Sequence, residues 1–250
     1  MKRPVAPARH TMYHELREAC EAGGCPICAL SLDVVKRFLE AVLYEGVNDP
    51  ETRDGVVAAR GYCNVHSWLM RDLGAGLGAA LLYRDVLRHV ADDLGRLQPG
   101  EGYALLPDVE AGGRAPRRLA GLVRRRGGAR TPAVSDPHST CPACRARDHF
   151  ELLAIAALAA YLSDDDMRAA FVRSGGLCLV HLDRSRHAVA DRRQLAELLS
   201  LQRDLYLNLV GELSEYIRKQ DYRYSSEPLG PERDAWIRSL EKVAGRQGIR

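Results

Sequence analysis

Four short cysteine motifs set the terms on which this 250-residue chain can fold. Cys25-Pro26-Ile27-Cys28 precedes Gly61-Tyr62-Cys63-Asn64-Val65-His66. Cys141-Pro142-Ala143-Cys144 precedes Gly176-Leu177-Cys178-Leu179-Val180-His181. Cys25 and Cys141 are 116 positions apart, while Cys63 and Cys178, like His66 and His181, are 115 apart. The residues ahead of the second motif align as well: Asn48-Asp49, Arg53 and Val57 fall on Ser163-Asp164, Arg168 and Val172. Further on, Arg84-Asp85 matches Arg203-Asp204 at an offset of 119. The extra four residues are about one helical turn, so the match survives in a helix. Such a constant offset marks an internal duplication.

The hydrophobic period between the motifs is helical. Leu32, Val35, Leu39, Val42 and Leu43 follow it in the first half, and Leu198, Leu201, Leu205, Leu209 and Leu213 in the second. Helices are expected over 13–20, 28–44, 51–60, 65–73, 77–94, 144–162, 165–173, 180–190, 194–219 and 231–244. Asp49 is placed to cap the helix that begins at Pro50. Aromatic residues make up only 6% of the chain, which disfavours an all-β fold. The expected fold is therefore all-α: two tandem helical repeats, each pinned by a Cys3His metal site, with a C-terminal helix. The segments are residues 1–94 for the first repeat, 95–140 for a linker, 141–220 for the second repeat and 221–250 for a tail helix. The linker holds eight glycines and five prolines and shows no sustained period.

Cys-x-x-Cys and Cys-x-x-His each bring two donors to one ion from a turn that feeds a helix. Zinc takes four such donors in a tetrahedron. Each repeat supplies one set, Cys25, Cys28, Cys63 and His66, then Cys141, Cys144, Cys178 and His181, so two Zn2+ are expected per chain. A site closed by four protein ligands leaves no position for water, which argues for a structural metal and against an enzyme. The eight donors could also pool into one binuclear centre. An iron–sulfur cluster or a thiol redox pair is the alternative, although the βαβ setting of a thioredoxin-like dithiol is missing. Ala29 and Arg145 follow the second cysteines, which excludes covalent haem.

The longest apolar run, Leu152 to Leu162, has eleven residues, well short of the roughly 20 that a membrane-spanning helix needs. Nothing at the N-terminus reads as a secretory signal, so a reducing, cytoplasmic compartment is expected. The formal net charge is +3, but seven arginines and no acidic residue lie between Arg114 and Arg130. That run reads as a solvated linker or as a contact for nucleic acid or an acidic protein. The role expected for the whole chain is partner binding or scaffolding.

These motifs resemble those of a bacterial family of unknown function. The resemblance rests on Tyr13-His14-Glu15-Leu16, the two CPxC and two GxCxxH motifs, and a tail with Lys219-Gln220-Asp221-Tyr222-Arg223-Tyr224, Glu232 and Trp236. It covers nearly the whole chain apart from the arginine-rich linker. It implies a helical metal-binding protein and carries no assigned reaction.

Weaker signals have plainer readings. Gly74-Ala75-Gly76-Leu77-Gly78 superficially resembles a dinucleotide fingerprint, but a helix precedes it where that motif needs a strand; close helix packing explains it. His10 and His14 lie one turn apart on an exposed face. Cys20 reads as a packed apolar residue, and His89, His138, His149 and His187 have no evident partner.

Overall fold

Helix is the only regular structure among the described residues of this computed structural model, which are 9–96, 140–224 and 226–248. The arginine run 114–130 and His138 lie outside them. Among the described residues ten α-helices follow in order: α1 Thr11–Glu21, α2 Pro26–Tyr44, α3 Pro50–Ala58, α4 Asn64–Asp72, α5 Gly76–Arg96, α6 Pro142–Tyr161, α7 Asp165–Ser174, α8 Leu179–Ala188, α9 Arg192–Lys219 and α10 Ala235–Ala244. Each lies within a few residues of a helix expected from the hydrophobic period. The tail differs at its start, because Pro231–Asp234 forms a 3-10 turn before α10 begins.

Helix ends follow local chemistry. Asp49 accepts from the Thr52 backbone N–H at 2.9 Å, and Asp164 accepts from that of Met167 at 3.0 Å. Both are side-chain N-caps, which satisfy amide donors that a helix start leaves open. Asp164 also accepts from the Tyr13 hydroxyl at 2.8 Å and pairs with Arg9, tying α1 to the start of α7. Burial disfavours its charge, but these partners hold its carboxyl down to about 2.

The chain gathers into two compact units. Unit 1 is Met1–Val35 with Arg147–Arg250, and unit 2 is Lys36–Ala146. The division passes through α2 and α6, so the first turns of each of these helices belong to one unit and the remainder to the other. The core of unit 1 contains Tyr13, Leu16 and Ile27 with Ile155, Leu158, Leu162, Met167, Phe171 and Leu198. In unit 2, α3 and α4 pack on α5, and Leu39, Leu43, Val56, Met70, Leu82 and Val86 are buried.

Of the glycine cluster at the start of α5, Gly78 makes the expected close helix packing, whereas Gly74 and Gly76 face open space. A Cβ built on Gly78 would sit 2.4 Å from the Leu43 carbonyl oxygen, so this helix reaches α2 only through hydrogen at that position. Gly55, inside α3, faces open space. Gly78→Ala is therefore expected to destabilise the protein by about 1–3 kcal/mol through overpacking. Gly55→Ala should be neutral or stabilising by up to about 1 kcal/mol from helix propensity alone. Thermal melts of the two variants beside the parent measure the contrast.

Candidate metal centres

The eight donors form two buried groups of four, and the grouping crosses the sequence halves. Cys25, Cys28, Cys178 and His181 lie together in unit 1; Cys63, His66, Cys141 and Cys144 lie together in unit 2. Within each group all ligand atoms are within 4.8 Å of one another. The residues expected from the motifs are the ones that cluster, but the pairing expected within each half is overturned. Each CPxC meets the GxCxxH of the other half.

The CPxC motifs open the long helices α2 and α6, of 19 and 20 residues. The Cys-x-x-His motifs follow the shorter α3 and α7, of nine and ten residues.

Locally, all four motifs use one geometry. The carbonyls of Cys25, Cys63, Cys141 and Cys178 accept from the backbone N–H four residues on, at 3.3, 2.9, 3.1 and 2.9 Å. The first cysteine of each motif is therefore a helix N-cap, and the second donor, three residues later, stands on the same face of the first turn. Each group gathers two helix N-termini: α2 and α8 in unit 1, α4 and α6 in unit 2. Three thiolates and a divalent cation carry a formal charge of −1, and two helix ends offset about one unit of it. Gly61 and Gly176, at φ of +93° and +77°, turn the chain into the Cys-x-x-His helices.

The donor separations describe a tetrahedron. Cys28 and Cys178 sulfurs are 3.6 Å apart, and those of Cys63 and Cys144 are 3.7 Å apart. His181 Nδ1 lies 3.4, 3.4 and 3.2 Å from the sulfurs of Cys25, Cys28 and Cys178. His66 Nδ1 lies 3.3, 3.4 and 3.4 Å from those of Cys63, Cys141 and Cys144. A tetrahedral zinc with sulfur bonds of about 2.3 Å and a nitrogen bond of about 2.0 Å has S···S edges of about 3.8 Å and S···N edges of about 3.5 Å. A disulfide needs about 2.05 Å, and none of the seven cysteines is in one.

The crowding of the donors shifts their titration in opposite directions. Burial pushes the Cys25 thiol well above its usual range. Cys178 is driven down by hydrogen bonds from Cys25 and Cys28, and then from His181. Cys141 is likewise driven down by Cys144 and Cys63, while Cys144 is pushed up by its bond to Cys141. Burial opposes charge on both imidazoles, but the sulfur contacts prevail. They raise His181, with help from Glu151, to about 11, and His66 to about 9.

The sequence motifs gave no notice of the groups that surround the unit 1 donors. Glu151 on α6 is buried, with Oε1 3.1 Å from His181 Nε2; this is ion-pair distance, although the two atoms are not aligned as a hydrogen bond. Glu151 also pairs with Arg184 and lies 3.7 Å from Arg147, while Arg184 reaches Asp148 at 3.0 Å. The position of Glu151, directly before the apolar run Leu152 to Leu162, is the one signal in the sequence that could have pointed to it. From the tail, the Arg246 backbone N–H donates to Cys28 Sγ at 3.5 Å. A Cβ on Gly245, at φ +83°, would lie 3.7 and 3.8 Å from the sulfurs of Cys28 and Cys178, so that turn runs directly over the thiols. Lys242 is buried and donates to the Gly176 carbonyl at 2.6 Å. Cys25 is the most exposed donor of this group at 8%, beside a surface cavity of about 240 Å³ lined by Gly23, Gly24, Glu241 and Arg246.

The remaining candidates stand apart. His10, His14, His89, His149 and His187 are exposed and join no metal-capable group among the described residues. Cys20 is buried at 1%, and burial raises its thiol to about 12. In the tail motif, buried Glu232 accepts from Lys219 at 2.8 Å and from the Gly230 N–H at 2.9 Å, which makes it a brace for the turn before α10.

The profile of a family of unknown function, DUF6062, matches residues 13–248, a span that includes every donor and the tail over the unit 1 thiols. The chain belongs to this family. The DUF6062 chain is also 24% identical over 229 residues to the "Uncharacterized 23.9 kDa protein in xynA 3'region" of Caldicellulosiruptor sp. (strain Rt8B.4), a match that covers 89% of this chain and 96% of that protein. No solved structure matches the DUF6062 chain.

Two outcomes are expected. Cys25→Ser combined with Cys178→Ser should cost one bound metal ion, whereas Cys25→Ser combined with Cys63→Ser should cost two; elemental analysis of the purified variants separates crossed from uncrossed pairing. Metal uptake should expel protons, so apparent affinity falls as the pH falls. Titration calorimetry in buffers of different ionisation heat counts the protons released.

Proposed function

We propose that this is a zinc-binding helical protein with two structural Cys3His centres, acting as a binding partner or scaffold in a reducing, cytoplasmic setting. The observation that carries the reading is the pair of buried four-donor groups whose measured edges suit one tetrahedral ion each. Cys25, Cys28, Cys178 and His181 would hold one Zn2+, and Cys63, His66, Cys141 and Cys144 the other. Bound zinc would supply cross-linking, since four protein donors leave no coordination position for a substrate. The motifs give each group the same donor set, three thiols and one imidazole.

The same compactness weighs against an iron–sulfur cluster. A cluster spreads its ligands over several irons, whereas these donors are close enough to share one ion. A dithiol redox role is weakened by the histidine in each group, which such chemistry does not require. Nucleic-acid binding rests on residues 114–130, outside the described residues. No helix among the described residues is long and apolar enough to cross a membrane. A partner role is supported by α10, which leaves Trp236, Ile237, Leu240 and Val243 exposed along one side.

Structural zinc contributes about 10–16 kcal/mol of apparent binding energy, against a net folding stability of about 5–15 kcal/mol for an ordinary domain. Removal should therefore abolish most of the stable fold. Protein purified without added metal is expected to contain two zinc ions per chain by elemental analysis, and to lose its cooperative melt on chelation. A metal-free sample with an unchanged melt overturns the reading.

A further inference from the structure

The two centres share donor chemistry but differ in what holds the donors. In unit 1 the imidazole is gripped on both sides: Nδ1 faces three sulfurs, and Nε2 lies 3.1 Å from Glu151 Oε1. Glu151 is itself fixed from behind by Arg184 and flanked by Arg147. A carboxylate against the far nitrogen of a ligating histidine fixes its tautomer and ring orientation and makes the near nitrogen a stronger donor.

The corresponding positions of the first half carry none of this chemistry. At offsets of 116 and 115, Arg147, Asp148, Glu151 and Arg184 fall on Ser31, Leu32, Val35 and Leu69. Among the described residues, none is paired with His66 Nε2. The tail adds to the difference, because Arg246, Gly245 and Lys242 come from a segment with no counterpart in the first half. Its N–H bond to Cys28 and its buried ammonium near the Cys178 turn both favour the negative charge of a loaded Cys3His centre.

The geometry points to Glu151 as the residue that positions His181 on its metal, and to the unit 1 centre as the tighter of two unequal sites. This rests on the proposed metal binding and goes beyond it. Unit 1 then keeps its ion under conditions in which unit 2 exchanges, so the protein has a partly loaded state with only Cys25, Cys28, Cys178 and His181 occupied.

The test is equilibrium competition of the full-length, zinc-loaded chain against a chromophoric chelator. The parent should show two dissociation constants at least tenfold apart, and Cys144→Ser should retain only the tighter. Glu151→Ala should weaken the tighter one by about 10–100-fold and leave the weaker unchanged. Glu151→Gln keeps the volume if the alanine variant fails to fold, and should give a smaller loss in the same direction. Arg184→Ala breaks the ion pair but leaves the carboxylate against the imidazole. It should lower the melting temperature yet hold the affinity within about threefold of the parent, a separation that a merely structural role for Glu151 would not produce. In Cys144→Ser protein loaded with cobalt, Glu151→Gln should shift the visible ligand-field bands. Two equal constants in the parent overturn the inference, as does an equal affinity loss in Glu151→Ala and Arg184→Ala. A chain that takes up no metal sinks the zinc reading itself, whereas two ions bound with equal strength sink only the inequality.

Discussion

The structure depends on bringing two helix N-termini, each carrying two soft donors, to a single point. A buried thiolate is costly, and three of them around an imidazole would be prohibitive without compensation. The compensation is built into the backbone. Every ligating motif starts at an N-cap cysteine, so open amides and the positive end of a helix face the sulfur charge. With a divalent cation at the centre, the remaining charge nearly vanishes. Helices that could not otherwise converge head to head can then do so inside the protein.

The donors of each group come from both halves of the sequence. A long helix departs from each CPxC, and a shorter one precedes each Cys-x-x-His motif. All four motifs offer nearly the same chemistry, so the donors alone do not decide which motif meets which.

This also marks the boundary of what could be read from the sequence. Helix positions were legible because apolar spacing, Asp49 and Pro50 act locally. The eight donors were legible because thiol and imidazole in fixed short spacings have few other uses. Pairing was not, because motif spacing records only neighbours along the chain, while the partner of Cys25 is set by how the helices pack. Glu151 escaped for a related reason: its role depends on His181, 30 residues later. Gly245 gave no signal of its own: only the fold shows that this left-handed turn lies against the sulfurs of Cys28 and Cys178.

Crossed ligation also imposes an order on biosynthesis. No complete set of donors exists until Cys144 has left the ribosome, and the other set waits for His181. A nascent chain that stops short of Cys144 can close neither group.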